Sequence, residues 1–213
     1  MVQRKGEENS LPYLHDSVTN LILASQSARR KELLAILGLP FSVVAAEIDE
    51  SPHAAEPPEE YVVRIAREKA RAVASHTSHS QVLSADTIVT IDGEILGKPV
   101  DQADAVRMLS RLSGRRHFVY TAVCLIDQVK DTMAEGIERT DVWFSPLDEA
   151  AILDYIRRED VMDKAGAYAI QGFASVYIPR IEGNYSNVMG LPLPLVFRLL
   201  GRAASAGSRE EEI

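Results

Sequence analysis

The chain has a single cysteine, Cys124, so it cannot form an internal disulfide. One unpaired thiol fits a reducing compartment. No apolar run reaches membrane-spanning length, and the first residues lack the apolar core of a signal peptide. A soluble, cytoplasmic protein with no membrane partner is therefore expected. Basic residues are in the minority: 23 Lys and Arg stand against 31 Asp and Glu, a formal net charge of -8. A general nucleic-acid binder carries the opposite balance, so no nucleic-acid partner is expected. Such a chain still binds a polyanion where its few cations converge.

Familiar catalytic signatures are also missing. There is no GxSxG and no GxGxxG. Gly93-Glu94-Ile95-Leu96-Gly97-Lys98-Pro99 looks at first like a phosphate loop, but three residues rather than four separate the glycines. Pro99 also stands where Ser or Thr should bind magnesium, and proline brings no N–H to an anion cradle. A P-loop is excluded. His76 and His79 have no nearby Cys, Asp or Glu to complete a zinc set. His117 and Cys124 lie on an apolar strand and read as structural.

What is present suits one globular domain, or two lobes sharing a core: 213 residues, 46% of them hydrophobic. Residues 1–19 are polar and patternless and read as an extension, and 203–213 read as a tail. The domain is expected over 20–202. Leu21-Ile22-Leu23 and Phe41 to Ala45 read as strands flanking a helix that stops at Gly38. A long helix starts at Pro57-Pro58 and runs to about Ser75, with Glu60 placed to pair with Arg64 and Glu68 with Arg71. Val82 to Ile91 is strand-like and ends in the Asp92-Gly93 turn. Asp101 caps a helix covering Ala105 to Leu112, Phe118 to Ile126 is an inner strand, and Asp141 to Phe144 its neighbour. Leu147 to Arg157 and Leu193 to Leu200 read as helices, and Ser175 to Ile181 as a strand. Helices and hairpins interleave, so the fold class is α/β with a mixed sheet.

Five tracts carry chemistry. Ala24-Ser25-Gln26-Ser27-Ala28-Arg29-Arg30 places two hydroxyls and two guanidinium groups where a strand runs into a helix. The first turn of a helix has unpaired N–H groups and a partial positive charge, so this is an anion pocket unless Ser27 only caps the helix. Asp86 sits among Leu, Ala, Ile and Val, where an ionised carboxylate needs a lysine, an arginine or a metal beside it. Lys98, fixed by Pro99, is a point charge able to reach phosphate. Asp163 to Gly172 surrounds Gln171 with small residues, and a glutamine amide complements the imide edge of uracil or thymine. Glu47, Asp49 and Glu50 form an acidic cluster from which one carboxylate could help hold magnesium.

Together these tracts resemble the Maf family, the septum-formation-type nucleotide pyrophosphatases. The matching blocks are residues 24–30, Arg67-Glu68-Lys69-Ala70, Ala85-Asp86-Thr87, Gly97-Lys98-Pro99, Ser113-Gly114 with His117, Asp163 to Gly172, and Gly183-Asn184-Tyr185 with Val188 to Pro192. The family usually has proline where Ala28 stands, a position at which alanine is well tolerated. The resemblance implies two lobes around a long mixed sheet with a central cleft, similar to inosine triphosphate pyrophosphatases. It implies hydrolysis of a nucleoside triphosphate to monophosphate and pyrophosphate with a divalent metal, Mg2+ or Mn2+. Asp86 then looks like the proton acceptor, and Ser25, Arg29, Arg30, Lys69 and Lys98 like phosphate contacts. Glu50 and Asp86 resemble the carboxylates near the metal, and Arg29, Thr87 and Gln171 the positions that mark substrate choice. The block ending in Gln171 is similar to the branch acting on dTTP and UTP. The resemblance leaves a homodimer open. The competing reading is a non-catalytic nucleotide-binding regulator of cell division.

Overall fold

A computed structural model describes residues 18–205. Residues 1–17, which include His15, and residues 206–213 lie outside the described residues. Val18 is already buried in the core, and the last helix continues to Ser205, so the domain reaches slightly past both expected boundaries.

The strands are β1 (Leu21–Leu23), β2 (Phe41–Val43), β3 (Gln81–Ile91), β4 (Glu94–Leu96), β5 (Arg116–Asp127), β6 (Thr132–Trp143) and β7 (Arg180–Glu182). They form one seven-stranded sheet in the order β2-β1-β3-β5-β6-β7, with β4 hairpinned onto β3. β1 runs parallel to β2 and β3, and all other pairs are antiparallel, which makes the sheet mixed as expected. The helices are α1 (Ala28–Ala35), α2 (Pro58–Ala74), α3 (Gln102–Leu112), α4 (Glu149–Arg158), α5 (Tyr185–Val188) and α6 (Leu193–Ser205). None of them is long and apolar enough to cross a membrane.

Three apolar clusters hold these elements together. One lies between the sheet and α1 and α6, a second under α2, and a third among α3, α4 and the 161–178 segment. β3 contributes to all three: Leu83 and Ala85 to the first, Val82 and Ile88 to the second, Val89 and Ile91 to the third. Asp86 and Thr87 therefore occupy the stretch of the central strand where the clusters meet. Two lobes sharing β3 and β5 follow from that arrangement.

Three local expectations are corrected. Ser175 to Ile181 is not one strand: Phe173–Tyr177 is a 3-10 turn, and only Arg180–Glu182 pairs with β6. The rings of Phe173 and Tyr177 stack edge-on at 5.8 Å, and Tyr177 meets Tyr155 at 6.4 Å, so aromatic packing wins over the alternating pattern. β6 starts at Thr132 rather than Asp141, because its first nine residues have β5 on one side only and alternate with polar, exposed residues. Arg64 pairs with Glu56 at 2.6 Å and Glu68 at 3.3 Å rather than with Glu60.

His117 is fully buried, with its Nε2 2.8 Å from the Tyr168 hydroxyl. Burial pushes the imidazole from its ordinary 6.5 down to about 3. The ring is neutral in the fold, whereas the unfolded chain takes up a proton as pH falls through 6.5. This group thus removes about 1.4 kcal/mol of stability per pH unit between 6.5 and 3, and nothing above 6.5. In denaturant titrations across that range, His117→Gln should have a shallower loss of stability than the unsubstituted protein by that slope; equal slopes would contradict the assignment.

Candidate anion-binding active site

The β1–α1 junction is built by its serines. Ser27 caps α1, its hydroxyl accepting from the Arg30 amide at 3.4 Å, and the Ser25 hydroxyl accepts from the Ser27 amide at 3.2 Å. Arg29 and Arg30 are neighbours on a helix and so diverge. Arg30 turns inward: Nε donates to the Gly190 carbonyl at 2.8 Å, Nη2 to Thr87 Oγ1 at 3.0 Å and Nη1 to Ser25 Oγ at 3.4 Å. Enclosure pulls its pKa below the usual arginine value, opposed by the charges of Asp86 and Glu50. Arg29 instead reaches across to Asp163 at 3.4 Å. One guanidinium braces the structure and the other stands nearer the opening.

Asp86 has the partner that its setting demands. Lys69 Nζ donates to Asp86 Oδ1 at 2.7 Å and lies 3.0 Å from Glu50 Oε1. Lys69 belongs to the stripe of α2 formed by Val62, Ile65, Ala66, Ala70 and Val73, all of it buried against the sheet. A lysine on that stripe is driven under the helix, and its ammonium emerges where β3 carries a carboxylate. Asp86 and Lys69 side chains are each 10% exposed, Glu50 52%. Among the described residues, Asp86 Oδ2 has no hydrogen-bond partner.

The loop bearing Glu50 is held from α2. The Tyr61 hydroxyl donates to the Glu50 carbonyl at 2.8 Å, and Arg64 Nη2 donates to the Ser51 carbonyl at 3.1 Å. Burial, with help from Asp86 and Glu50, pushes the Tyr61 phenol up to about 12. These supports were not evident in the sequence. The sequence offers Glu60 as the partner of Arg64, and only the folded loop shows which acid it meets.

All nine residues singled out from the sequence border one cleft of about 630 Å3: Ser25, Arg29, Arg30, Glu50, Lys69, Asp86, Thr87, Lys98 and Gln171. Five cationic side chains line it against three carboxylates, an excess of positive charge in an acidic chain. Its lining also includes the apolar side chains of Val89, Ile95, Val119, Ile170 and Met189. Lys98 and Gln171 are exposed at the rim. Their loops are tied by the Gly166 amide donating to the Gly97 carbonyl at 3.0 Å. Gly166 has φ +67 and approaches Val89 closely, so a β-carbon there would lie 3.1 Å from either methyl. Glu47 and Asp49 of the acidic cluster do not reach the cleft. Cys124 is buried with its thiol pushed up to about 12 by burial, an inert group.

The donor set bears on a metal. Among the described residues no three His, Cys, Asp or Glu side chains cluster, so there is no preformed protein cage. Glu50 and Asp86, drawn together by one ammonium, are a pair of hard oxygen donors. Mg2+ is usually bound by one or two carboxylates with phosphates and water completing its shell. The residues fit a cation that arrives with a polyphosphate.

Fold and cleft together define an α/β protein with a cation-rich cleft built around a buried ion pair. Residues 20–203 match the family described as Maf-like protein, and the chain belongs to that family. It is 47% identical over 191 residues to the dTTP/UTP pyrophosphatase of Syntrophomonas wolfei, spanning 89% of this chain and 100% of that one. It is 50% identical over 185 residues to the dTTP/UTP pyrophosphatase of Myxococcus xanthus, spanning 87% of this chain and 93% of the other. A dITP/XTP pyrophosphatase from Mycobacterium abscessus overlaps 61% of this chain and 76% of its own at 17% identity and a TM-score of 0.39, a likeness that supports no further statement.

Removing one member of a buried pair strands the other. Lys69→Met should cost about 3 kcal/mol, the low end for such breaks because the pair borders an open cleft. The double variant Lys69→Met/Asp86→Leu should regain most of it. Urea unfolding of the three proteins checks this, and a single variant as stable as the unsubstituted protein would contradict it.

Proposed function

We propose that this chain hydrolyses dTTP and UTP to the nucleoside monophosphate and pyrophosphate. The observation that carries the reading is that cations from separate segments line the one cleft that holds Asp86, with Lys69 bonded to it directly. Relatives sharing 47–50% of their residues with it over nearly their whole length are dTTP/UTP pyrophosphatases, which supports the same substrate pair.

The triphosphate lies along Arg29, Arg30, Lys69, Lys98 and Ser25, which neutralise the tail and the leaving pyrophosphate. Reactions of this kind depend chiefly on positioning and on charge stabilisation. Asp86 faces the α-phosphorus and takes a proton from the attacking water through Oδ2, while Lys69 holds Oδ1. The water oxygen bonds to the α-phosphorus, the bond from that phosphorus to the bridging oxygen breaks, and pyrophosphate departs. Glu50 and Asp86 would hold a divalent cation, Mg2+ or Mn2+, which when bound polarises phosphoryl oxygens and offsets their charge. A pure anion binder gains nothing from a carboxylate beside phosphate, which favours an enzyme over a binding protein. The base enters the apolar end, where Gln171 pairs with its imide edge and Arg29 and Thr87 shape the passage. Every residue in this scheme comes from one chain, so a second copy is not needed. The cytoplasm, where free nucleoside triphosphates occur, is the expected place of action.

Pyrophosphate release from a panel of dTTP, UTP, CTP, dATP and GTP with Mg2+ or Mn2+ tests the reading. dTTP and UTP should dominate, and EDTA should abolish turnover. Gln171→Ala should narrow the preference for UTP over CTP by about tenfold to a hundredfold, the worth of one or two hydrogen bonds. No pyrophosphate from any substrate would sink the function, an unchanged preference would sink the role of Gln171, and full activity in EDTA would sink the metal.

A further inference from the structure

Arg30 is held in a closed ring of hydrogen bonds that passes outside the cleft. Its Nη2 donates to Thr87 Oγ1 at 3.0 Å. Thr87 and Thr121 face each other across the β3–β5 register, with hydroxyl oxygens 3.0 Å apart. Thr121 Oγ1 donates to the Asn187 carbonyl at 3.0 Å. The Gly190 amide donates to that same carbonyl at 2.9 Å, and the Gly190 carbonyl accepts from Arg30 Nε at 2.8 Å. The ring begins and ends on one guanidinium.

Proton counting fixes its direction. A carbonyl only accepts, so the single Thr121 proton goes to Asn187. Thr121 then offers only lone pairs to Thr87, and the Thr87 proton must turn toward Thr121. That leaves the lone pairs of Thr87 for Arg30. Asn187 is itself immobile: its side-chain amide donates to the Val119 carbonyl at 3.0 Å and to Thr140 Oγ1 at 2.8 Å, and the residue is fully buried. Thr121 is fully buried too and does not border the cleft.

We propose that Thr121 is a positioning residue for the phosphate-binding arginine. Its hydroxyl converts the fixed Asn187 carbonyl into a fixed acceptor for Arg30, two hydrogen bonds away. Without it, the nearest acceptor for the Thr87 proton is the Gly190 carbonyl at 3.4 Å, which is already engaged by Arg30 Nε. Of the three hydrogen bonds that seat the guanidinium, the one to Thr87 then loses its fixed acceptor, while those to Gly190 and Ser25 remain. This inference rests on the proposed function only in taking Arg30 as a contact for the pyrophosphate portion.

Thr121→Val removes the hydroxyl at constant shape, and Thr121→Ser restores it. The Val variant should bind inorganic pyrophosphate about tenfold more weakly by calorimetry, the worth of one charge-assisted hydrogen bond, and lose a similar factor in kcat/KM for dTTP. The Ser variant should lie within about twofold of the unsubstituted protein in both. A merely structural threonine would lower the melting temperature and leave pyrophosphate affinity unmoved. Unchanged affinity in the Val variant, or equal loss in both variants, would overturn the proposal. Absence of dTTP turnover in the unsubstituted protein would instead overturn the proposed function, and the calorimetric comparison would still decide Thr121.

Discussion

The site depends on one contact, the 2.7 Å ion pair between Lys69 and Asp86. It joins α2 to the central strand at the point where the apolar clusters meet, and each side chain is 10% exposed. Burying two ions costs more than burying two apolar groups, and a well-packed hydrophobic pair in the same place is often as stable or more so. Stability alone gives no reason for this pair. A reason appears once the cleft is considered: the lysine pairs with a carboxylate set in an otherwise apolar strand, and the carboxylate keeps the ammonium beside it. With Glu50 3.0 Å away on the same ammonium, two acids and a cation share one corner of a cleft that elsewhere collects positive charge.

The mixed sheet makes that corner possible. β1 and β2 run parallel to β3 and deliver the β1–α1 junction to one side of Asp86, while the antiparallel β5–β6 extension carries the 163–172 loop to the other. The segments proposed to hold the phosphates and the base thus come from different lobes and meet across a strand common to both. Arg30 closes the gap between them. Its ring through Thr87, Thr121, Asn187 and Gly190 joins α1, β3, β5 and the 187–190 segment that ends α5. The neutral His117, bonded to Tyr168, anchors the far loop from beneath.

Asp86 was legible in the sequence because a charge in an apolar strand has to be answered. Ser25 and the two arginines were legible because a helix start is a known anion site, and Gln171 because glycines surround it. Lys69 was different: taken alone it belongs to a charged helix whose other ionic residues face solvent, and only its likeness to a family block separated it from them. The pairing of Arg64 was misread because Glu56, Glu60 and Glu68 all lie within a helical turn or two, and the choice depends on how the 46–56 loop folds back. Thr121 and Asn187 gave no signal. Threonine is ordinary in a strand, and a polar ring assembled from four segments has no local pattern. β6 was shortened for a related reason, since a strand with one open edge alternates polar residues and looks like a loop.

The central claim is that Asp86 acts on the water while the cations around it hold the triphosphate. Single-turnover hydrolysis of dTTP by Asp86→Asn, with substrate affinity measured in parallel, tests it most directly. The account predicts a rate lower by about a hundredfold or more, as for loss of a general base, with affinity unchanged or tighter because a carboxylate near the phosphates has been neutralised. A near-normal rate, or a loss confined to affinity, would contradict it.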